Sequence, residues 1–339
     1  MKLIKTEDAV GHVLCHDLTQ IIKDQYKDAR FRKGHVVTQE DIPVLLSMGK
    51  EHLYVWEMTP GMLHENDAAE RLYALCVGDH MDRSEVKEGK IELKAACDGL
   101  FRVNSEKLMA VNSIEDIMIA TRKGGTAVRK GDKLAGMRVI PLIIPEEKLQ
   151  AAEQAAGDTP LLELKPWVRR TAAIVATGSE VKKGLIQDTF TPVVKDKLAF
   201  YGIETLSVSY SGDGVENVAN AIAEARATGA DVILCTGGMS VDPDDNTPGG
   251  IKESGAKIIT YGAPVLPGAM FLLGYYDDGT PVMGLPGCVM YAGATIFDLV
   301  LPFVTADVPV TRQQIVTLGE GGLCLGCKPC HWPECPFGK

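Results

Sequence analysis

The spacing of apolar residues changes several times along this chain, and each change marks a different kind of structure. Up to about Met58 the pattern predicts short strands and one helix. In EDIPVLLSM, Glu40 to Met48, apolar residues recur at helical spacing, Gly49 stops the run, and HLYVW follows as a strand. Leu63 to His80 again reads as helical, with Leu72, Leu75 and Cys76 on one face. From Glu85 to Leu142 the runs KIELKAA, GLFRV and AVRKGDKLAGMRVIPLII are strand-like and broken by Gly, Asn and Asp, which predicts a small β-rich module. Pro145 to Lys165 is rich in Ala, Glu and Gln before Gly157, Asp158 and Pro160, as expected of a helix and a connector. After Trp167 strands and helices alternate. RTAAIVAT, IETLSVSY and ADVILCTGG read as strands, and PVVKDKLAFYG and VENVANAIAEARATG as helices ended by Gly202 and Gly229. That alternation predicts an α/β fold with a mostly parallel sheet, in which ligands lie at the carboxyl ends of the strands.

Length and charge narrow this picture. A chain of 339 residues is long for one core, and the pattern divides it into an N-terminal mixed module (1–165), an α/β domain (166–310) and a Cys-rich tail (311–339). With 45% hydrophobic and 24% charged residues the composition is that of a folded protein. A formal net charge of −10 argues against general attraction to nucleic acid or an anionic membrane, so an anionic ligand has to be held by local features. MKLIKTEDAVGHVL lacks the apolar stretch of a secretory leader, and APVLPGAMFLLGYY is too short and broken to span a bilayer. The cytoplasm is the expected compartment, and the nine cysteines are read as ligands, nucleophiles or core thiols before disulfides. Cys15, Cys76, Cys97 and Cys235 are read as small core residues, as is Cys288, for which a thiolate ligand or sulfur donor is the alternative, and six histidines (His12, His16, His35, His52, His64 and His80) as surface or core side chains.

Two loops carry the candidate chemistry. CTGGMSVDPDDNTP, Cys235 to Pro248, leaves a buried strand through Gly237 and Gly238, which let backbone amides approach an anion. Ser240 adds a hydroxyl, and Asp242, Asp244 and Asp245 add carboxylates suited to a hard cation such as magnesium. A plain strand-to-turn connection with a solvated acidic cluster accounts for the same residues. ATGSEVKKGLIQDT, Ala176 to Thr189, offers Thr177, Gly178 and Ser179 at another strand end, with Glu180 and Asp188 nearby; here the plain alternative makes Asp188 a helix N-terminal acid.

Taken together, residues 168–309 resemble the molybdopterin-binding domain shared by molybdopterin molybdotransferases, the gephyrin E domain and the molybdopterin adenylyltransferases. Thr177-Gly178-Ser179-Glu180-Val181 is similar to the family's TGDEL element, and Gly184-Leu185-Ile186-Gln187-Asp188 to its G-x-I-x-D element. Asp213 occupies the place of the family's Asp before the next helix. Thr236 to Ser240 resembles TGG(V/T)(S/G), Asp245-Asn246-Thr247-Pro248 the D-x-T-P run, and PVMGLPG, Pro281 to Gly287, the family's PVFGLPG. The resemblance implies a three-layer domain whose ligand contacts come from Thr177, Gly178, Ser179, Thr236, Gly237, Gly238, Met239, Ser240, Thr247, Pro286 and Gly287. It implies that the Gly237–Gly238 loop holds the pterin phosphate, and that Glu180, Asp188, Asp213 and Asp245 surround magnesium, molybdate or the bridging phosphate. Acids around an anionic ligand repel it unless a divalent cation intervenes, so magnesium dependence is expected. A homodimer is implied too, with a molybdopterin adenylyltransferase or a molybdoenzyme as further partners.

The N-terminal half is similar to the transferase side of the family in AVGHVLCHDLT and FRKGHVVTQEDIPVLLSMGKEHLYV. The family's SAMDGYA segment has no counterpart, and its GLPGNPVS reads Gly284-Leu285-Pro286-Gly287-Cys288-Val289-Met290-Tyr291 here. Three functions follow: transfer of molybdate to adenylylated molybdopterin with release of AMP; a non-catalytic carrier or sensor of molybdopterin or the finished cofactor; and adenylyl transfer to the pterin. At the other end, Cys324, Cys327, Cys330 and Cys335 form C-x2-C-x2-C-x4-C-P around His331, a spacing suited to one metal centre, either zinc or a [4Fe–4S] cluster.

Overall fold

The structure is a computed structural model that describes residues 2–22, 26–55, 60–243 and 245–339. Trp56, at the end of the expected HLYVW strand, and Asp244 of the acidic loop lie outside the described residues. The chain forms two compact units. One comprises Met1–Ala96, Val103–Gly124 and Lys130–Leu164; the other comprises Cys97–Arg102, Gly125–Arg129 and Lys165–Lys339.

In the first unit, Lys2–Lys5 pairs antiparallel with His52–Val55, and Leu18–Ile22 with Tyr26–Phe31. Leu14, Leu18, Phe31, Val37, Ile42, Leu45 and Leu53 make a small core beneath them. The helix read in EDIPVLLSM runs Asp41–Ser47. An antiparallel sheet follows, ordered Met81–Arg83, Lys90–Ala95, Lys133–Val139, Ile117–Thr121. The helix expected over 63–80 is shorter, Glu65–Cys76, because Leu63 belongs to the strand Met62–His64 and the His64 side chain accepts from the Asn66 amide to start the helix. Its buried face carries Ala68, Ala69, Leu72 and Cys76. Two elements depart from the sequence reading. Ser105–Asn112 is a helix inside the stretch expected to be β-rich, and Leu162–Pro166 is a strand where a connector was expected.

The second unit is built on one six-stranded sheet. Its main elements are β1 (Thr171–Thr177), α1 (Ser179–Lys182), α2 (Phe190–Phe200), β2 (Glu204–Ser211), α3 (Val215–Ala227), β3 (Val232–Thr236) and α4 (Thr247–Glu253). Then come β4 (Lys257–Tyr261), β5 (Leu272–Tyr275), β6 (Pro281–Leu285), α5 (Ile296–Thr305) and α6 (Arg312–Thr317). The order is β2-β1-β3-β6-β5-β4, with β2, β1, β3 and β6 parallel and β5 antiparallel to both neighbours. Successive strand residues point to opposite faces. Accordingly Ala172 and Ile174 pack with Val194, Leu198, Phe297 and Val300 of α2 and α5, while Ala173 and Val175 pack with Val218, Ile222 and Ile251 of α3 and α4. Burial on both faces explains why the central strands are almost continuously apolar.

Asp231 ties the amino ends of β1 and β3 together. Its Oδ2 accepts from the amides of Arg170 (2.7 Å) and Thr171 (2.9 Å) and from the Thr171 hydroxyl (2.9 Å). Burial would raise its pKa, but these bonds hold the carboxyl below its ordinary value of 3.8. We expect Asp231→Ala to lose about 2 kcal/mol of stability at neutral pH, as for a charged acceptor of several bonds. A group with a depressed folded pKa contributes above its unfolded pKa and loses that contribution as pH falls through the folded value. The gap between wild type and variant in urea unfolding therefore closes in acid below about pH 3.8. A gap that persists there means the aspartate acts by packing alone.

Candidate functional site

Strand register brings the expected loops to one edge. Thr177 of β1 lies beside Ser211 of β2, Ala176 beside Thr236 of β3, and Thr236 beside Leu285 of β6. All four strands end here, so Gly178–Ser179, Gly212–Asp213, Gly237–Ser240 and Pro286–Gly287 leave the sheet side by side at its carboxyl edge.

Three buried threonines lock the centre of this edge. The Thr177 hydroxyl donates to the Thr236 carbonyl (3.0 Å) and shares a hydrogen bond with the Thr247 hydroxyl (2.9 Å), which also bonds the Gly237 carbonyl (2.9 Å). Gly237 and Gly238 have φ of +84° and +57°. A Cβ on Gly238 would lie 2.7 Å from the Thr247 Oγ1, and one on Gly237 would run into the Thr177 carbonyl oxygen. Only glycine fits this turn over the threonines. Among the described residues, the amides of Gly238 and Met239 have no hydrogen-bond acceptor. Unpaired amides in consecutive positions at a strand end form the kind of concavity that takes an anion. Met239 itself turns inward. It is 4% exposed, and Gly284 of β6 leaves room for its sulfur, so only its backbone faces the edge.

The acids are used unequally. Asp245 Oδ2 accepts from the Ser240 amide at 2.9 Å, closing the acidic loop back onto the glycine turn. Tyr261 donates to the carbonyl of Met239 (3.1 Å), and its pKa is raised by burial and then by the charge of Asp245. Asp213 and Ser179 bond each other reciprocally at 3.3 and 3.4 Å, joining the loops after β2 and β1. Asp188 takes its plainer role: Oδ1 accepts from the amides of Phe190 and Thr191, both at 2.9 Å, at the start of α2. Burial would raise its pKa, but hydrogen bonding by Thr191, Phe190 and Tyr210 lowers it. Glu180 is exposed in the single turn α1, with its carboxylate near Gly178. Among the described residues, no three of these acids, nor any other group of three or more His, Cys, Asp and Glu, are gathered as metal ligands. Pro286 is buried, whereas Gly287 is exposed with open space where a side chain would be.

The other cysteines divide by environment. Burial pushes the Cys76 and Cys235 thiols up to about 12, as befits inert core residues. Cys288, beside the Pro286–Gly287 turn, is half-buried and also raised, first by burial. Of the tail cysteines, Cys324 and Cys335 are partly buried against the core of the second unit, and Cys327 and Cys330 are exposed. Sequence reasoning missed Thr247 as a structural partner of Thr177, and Tyr261 altogether. The first is signalled only by the D-x-T-P run; a tyrosine on a distant strand carries no local signal.

Two family models match stretches of the chain. The family described as "Probable molybdopterin binding domain" matches residues 173–306, and one described only as a domain of unknown function matches residues 3–57. A CinA-like protein of Desulfosudis oleivorans is 37% identical over 86 residues, covering 25% of this chain and 21% of that protein. The matched stretch is thus about a fifth of the length of that relative. Among solved structures, the tungsten cofactor synthesizing protein MoaB from Pyrococcus furiosus is 22% identical, covering 38% of this chain and 86% of that one, with a TM-score of 0.31. The molybdopterin biosynthesis moea protein from Pyrococcus horikosii is 17% identical, covering 73% and 80%, with a TM-score of 0.34. No helix among the described residues is long and apolar enough to cross a membrane. The likeness to a probable molybdopterin-binding domain thus falls on residues 173–306, within the second unit.

Proposed function

We propose that this chain binds molybdopterin, or its adenylylated form, at the carboxyl edge of the sheet, and acts in molybdenum-cofactor biosynthesis as a carrier or sensor. The observation that carries this reading is the Gly237–Met239 turn, whose unpaired Gly238 and Met239 amides are fixed in place by Thr177, Thr236 and Thr247. The pterin phosphate would rest on those amides, with the Ser179 and Ser240 hydroxyls at either side.

Transfer of molybdate with release of AMP is the second reading, favoured by Asp245, which is held beside the same turn through the Ser240 amide. Magnesium would serve it by neutralising a phosphate. Among the described residues the acids do not make a magnesium site of their own: Asp188 gives its Oδ1 to the start of α2, Glu180 is exposed, and no three are gathered. That arrangement supports binding more than turnover.

The test is to mix the full chain with adenylylated molybdopterin, magnesium and molybdate, following pterin fluorescence and AMP together. The expected result is saturable binding without molybdate-dependent AMP. Release of AMP that Asp245→Asn abolishes would establish the transferase instead, and absence of binding to either pterin form would remove the proposal.

A further inference from the structure

The Cys-rich tail has a structure that the pterin site does not explain. Leu323 bridges Leu266 in parallel, and the Cys324 amide donates to the Leu266 carbonyl at 2.8 Å. At the far end Phe337 is 2% exposed, stacked edge-on against Trp332 at 5.7 Å, and Gly338 packs on Leu299. The Gly338 amide donates to the Gly321 carbonyl at 2.9 Å, so the chain returns to where it left. Residues 321–338 are thus a closed loop with both ends anchored on the second unit. Trp332 and Phe337 supply the apolar anchors of this tail.

Between the anchors, residues 325–334 form neither helix nor strand. Cys324 lies three residues inside one anchor and Cys335 three inside the other, so each is within about 11 Å of the closure even if fully extended. Cys330 packs its sulfur against Gly293, where no side chain intervenes. All four thiols are free, and Cys327 and Cys330 are exposed residues. As they stand, no three of them are gathered at metal-ligand spacing. Four thiols confined to one short loop with two fixed ends is an arrangement that a thiophilic metal can close.

We propose that Cys324, Cys327, Cys330 and Cys335 bind one thiolate-ligated metal centre, zinc or a [4Fe–4S] cluster, which orders residues 325–334. The ion assembles the site rather than entering a finished cage. Each thiol gives up its proton to solvent as its sulfur bonds the metal, with no change in sulfur oxidation state. His331 lies inside the loop as a further nitrogen donor, and Glu334 is the only carboxylate side chain between Cys324 and Cys335. Sulfur therefore dominates the donor set, which selects zinc or iron over magnesium or calcium.

The test uses the full chain purified without oxygen. Metal analysis should find about one zinc per chain, or about four irons with a visible cluster absorption. Metal-free protein titrated with Co2+ should develop thiolate charge-transfer bands that saturate near one equivalent, and loading should protect the 325–334 segment from proteolysis. Cys327→Ser with Cys330→Ser should lose the bands, and Cys97→Ser should keep them; the two changed thiols are exposed, so the fold is spared. Zinc and iron both below about a tenth of an equivalent, with no cobalt bands, would overturn the proposal. Pterin binding is read separately, so either result stands apart from the reading of the sheet edge.

Discussion

Gly238→Val is expected to lower molybdopterin affinity about 100-fold, because it would remove the proposed anion-binding turn while leaving the sheet beneath intact. The position has φ of +57°, where a β-branched residue is strained, and its Cβ would stand 2.7 Å from the Thr247 hydroxyl. Relief comes either by moving the loop or by breaking the bonds from Thr247 to Thr177 and Gly237, and both routes misplace the amides of Gly238 and Met239. Two charge-assisted bonds to a phosphate at about 1.4 kcal/mol each account for the two decades. The strain itself costs about 1–3 kcal/mol of stability, so urea unfolding is measured alongside binding. Thr177→Val is the companion change, removing the shared hydroxyl with no backbone strain, and should weaken binding in the same direction by a smaller factor. A folded Gly238→Val protein with unaltered affinity would mean that the phosphate is held elsewhere, and the case for this turn would fail.

The architecture of the second unit is legible in the sequence because its strands are buried on both faces and its helices are amphipathic. RTAAIVAT and ADVILCTGG have few polar positions to spend on a solvent face, and the structure places both in the middle of the sheet. The site is legible for a related reason. A glycine pair directly after such a strand has to fall at the carboxyl edge, whatever the tertiary details. What remained hidden depends on partners distant in sequence. The helix Ser105–Asn112 is too short for periodicity to reveal between strand-like runs, and its one local mark is Asn104, whose side chain accepts from the Lys107 amide at 3.1 Å. The split among the acids was equally hidden. Asp188 and Asp245 look alike in sequence, yet one starts a helix and the other braces a glycine turn, because only the chain's path decides which amides each meets. Met239 follows the same rule: in sequence it belongs to the loop, but the gap left by Gly284 draws it into the core.

Lys197→Met should cost about 3 kcal/mol, the largest loss expected from any single polar side chain of the second unit. Lys197 of α2 reaches Asp298 of α5 with Nζ 2.5 Å from Oδ1, and also donates to the Gly293 carbonyl at 3.2 Å. The two side chains are only 16% and 10% exposed, so solvent screens the pair weakly. Asp298 is occupied further: its Oδ2 accepts from the Thr295 amide (2.7 Å) and hydroxyl (3.2 Å), completing the capping box of α5. Removing the lysine strands a carboxylate that cannot turn to water without uncapping the helix, which is the costly way to break a buried pair. The retained Thr295 bonds keep the loss near the lower end of the range of about 3–5 kcal/mol for such breaks. Adding Asp298→Asn removes the stranded charge while keeping an oxygen for the cap, so the double variant should be more stable than the sum of the single losses implies. Urea midpoints at unchanged slope measure all three. A loss below about 1 kcal/mol for Lys197→Met would show that the pair behaves as a solvated surface bridge. The consequence reaches the carboxyl edge, because Lys197 also holds Gly293 in the segment that leads from the Pro286–Gly287 turn into α5. Losing that bond frees the segment on which Cys330 rests, so the same variant should expose 325–334 to protease sooner in metal-free protein.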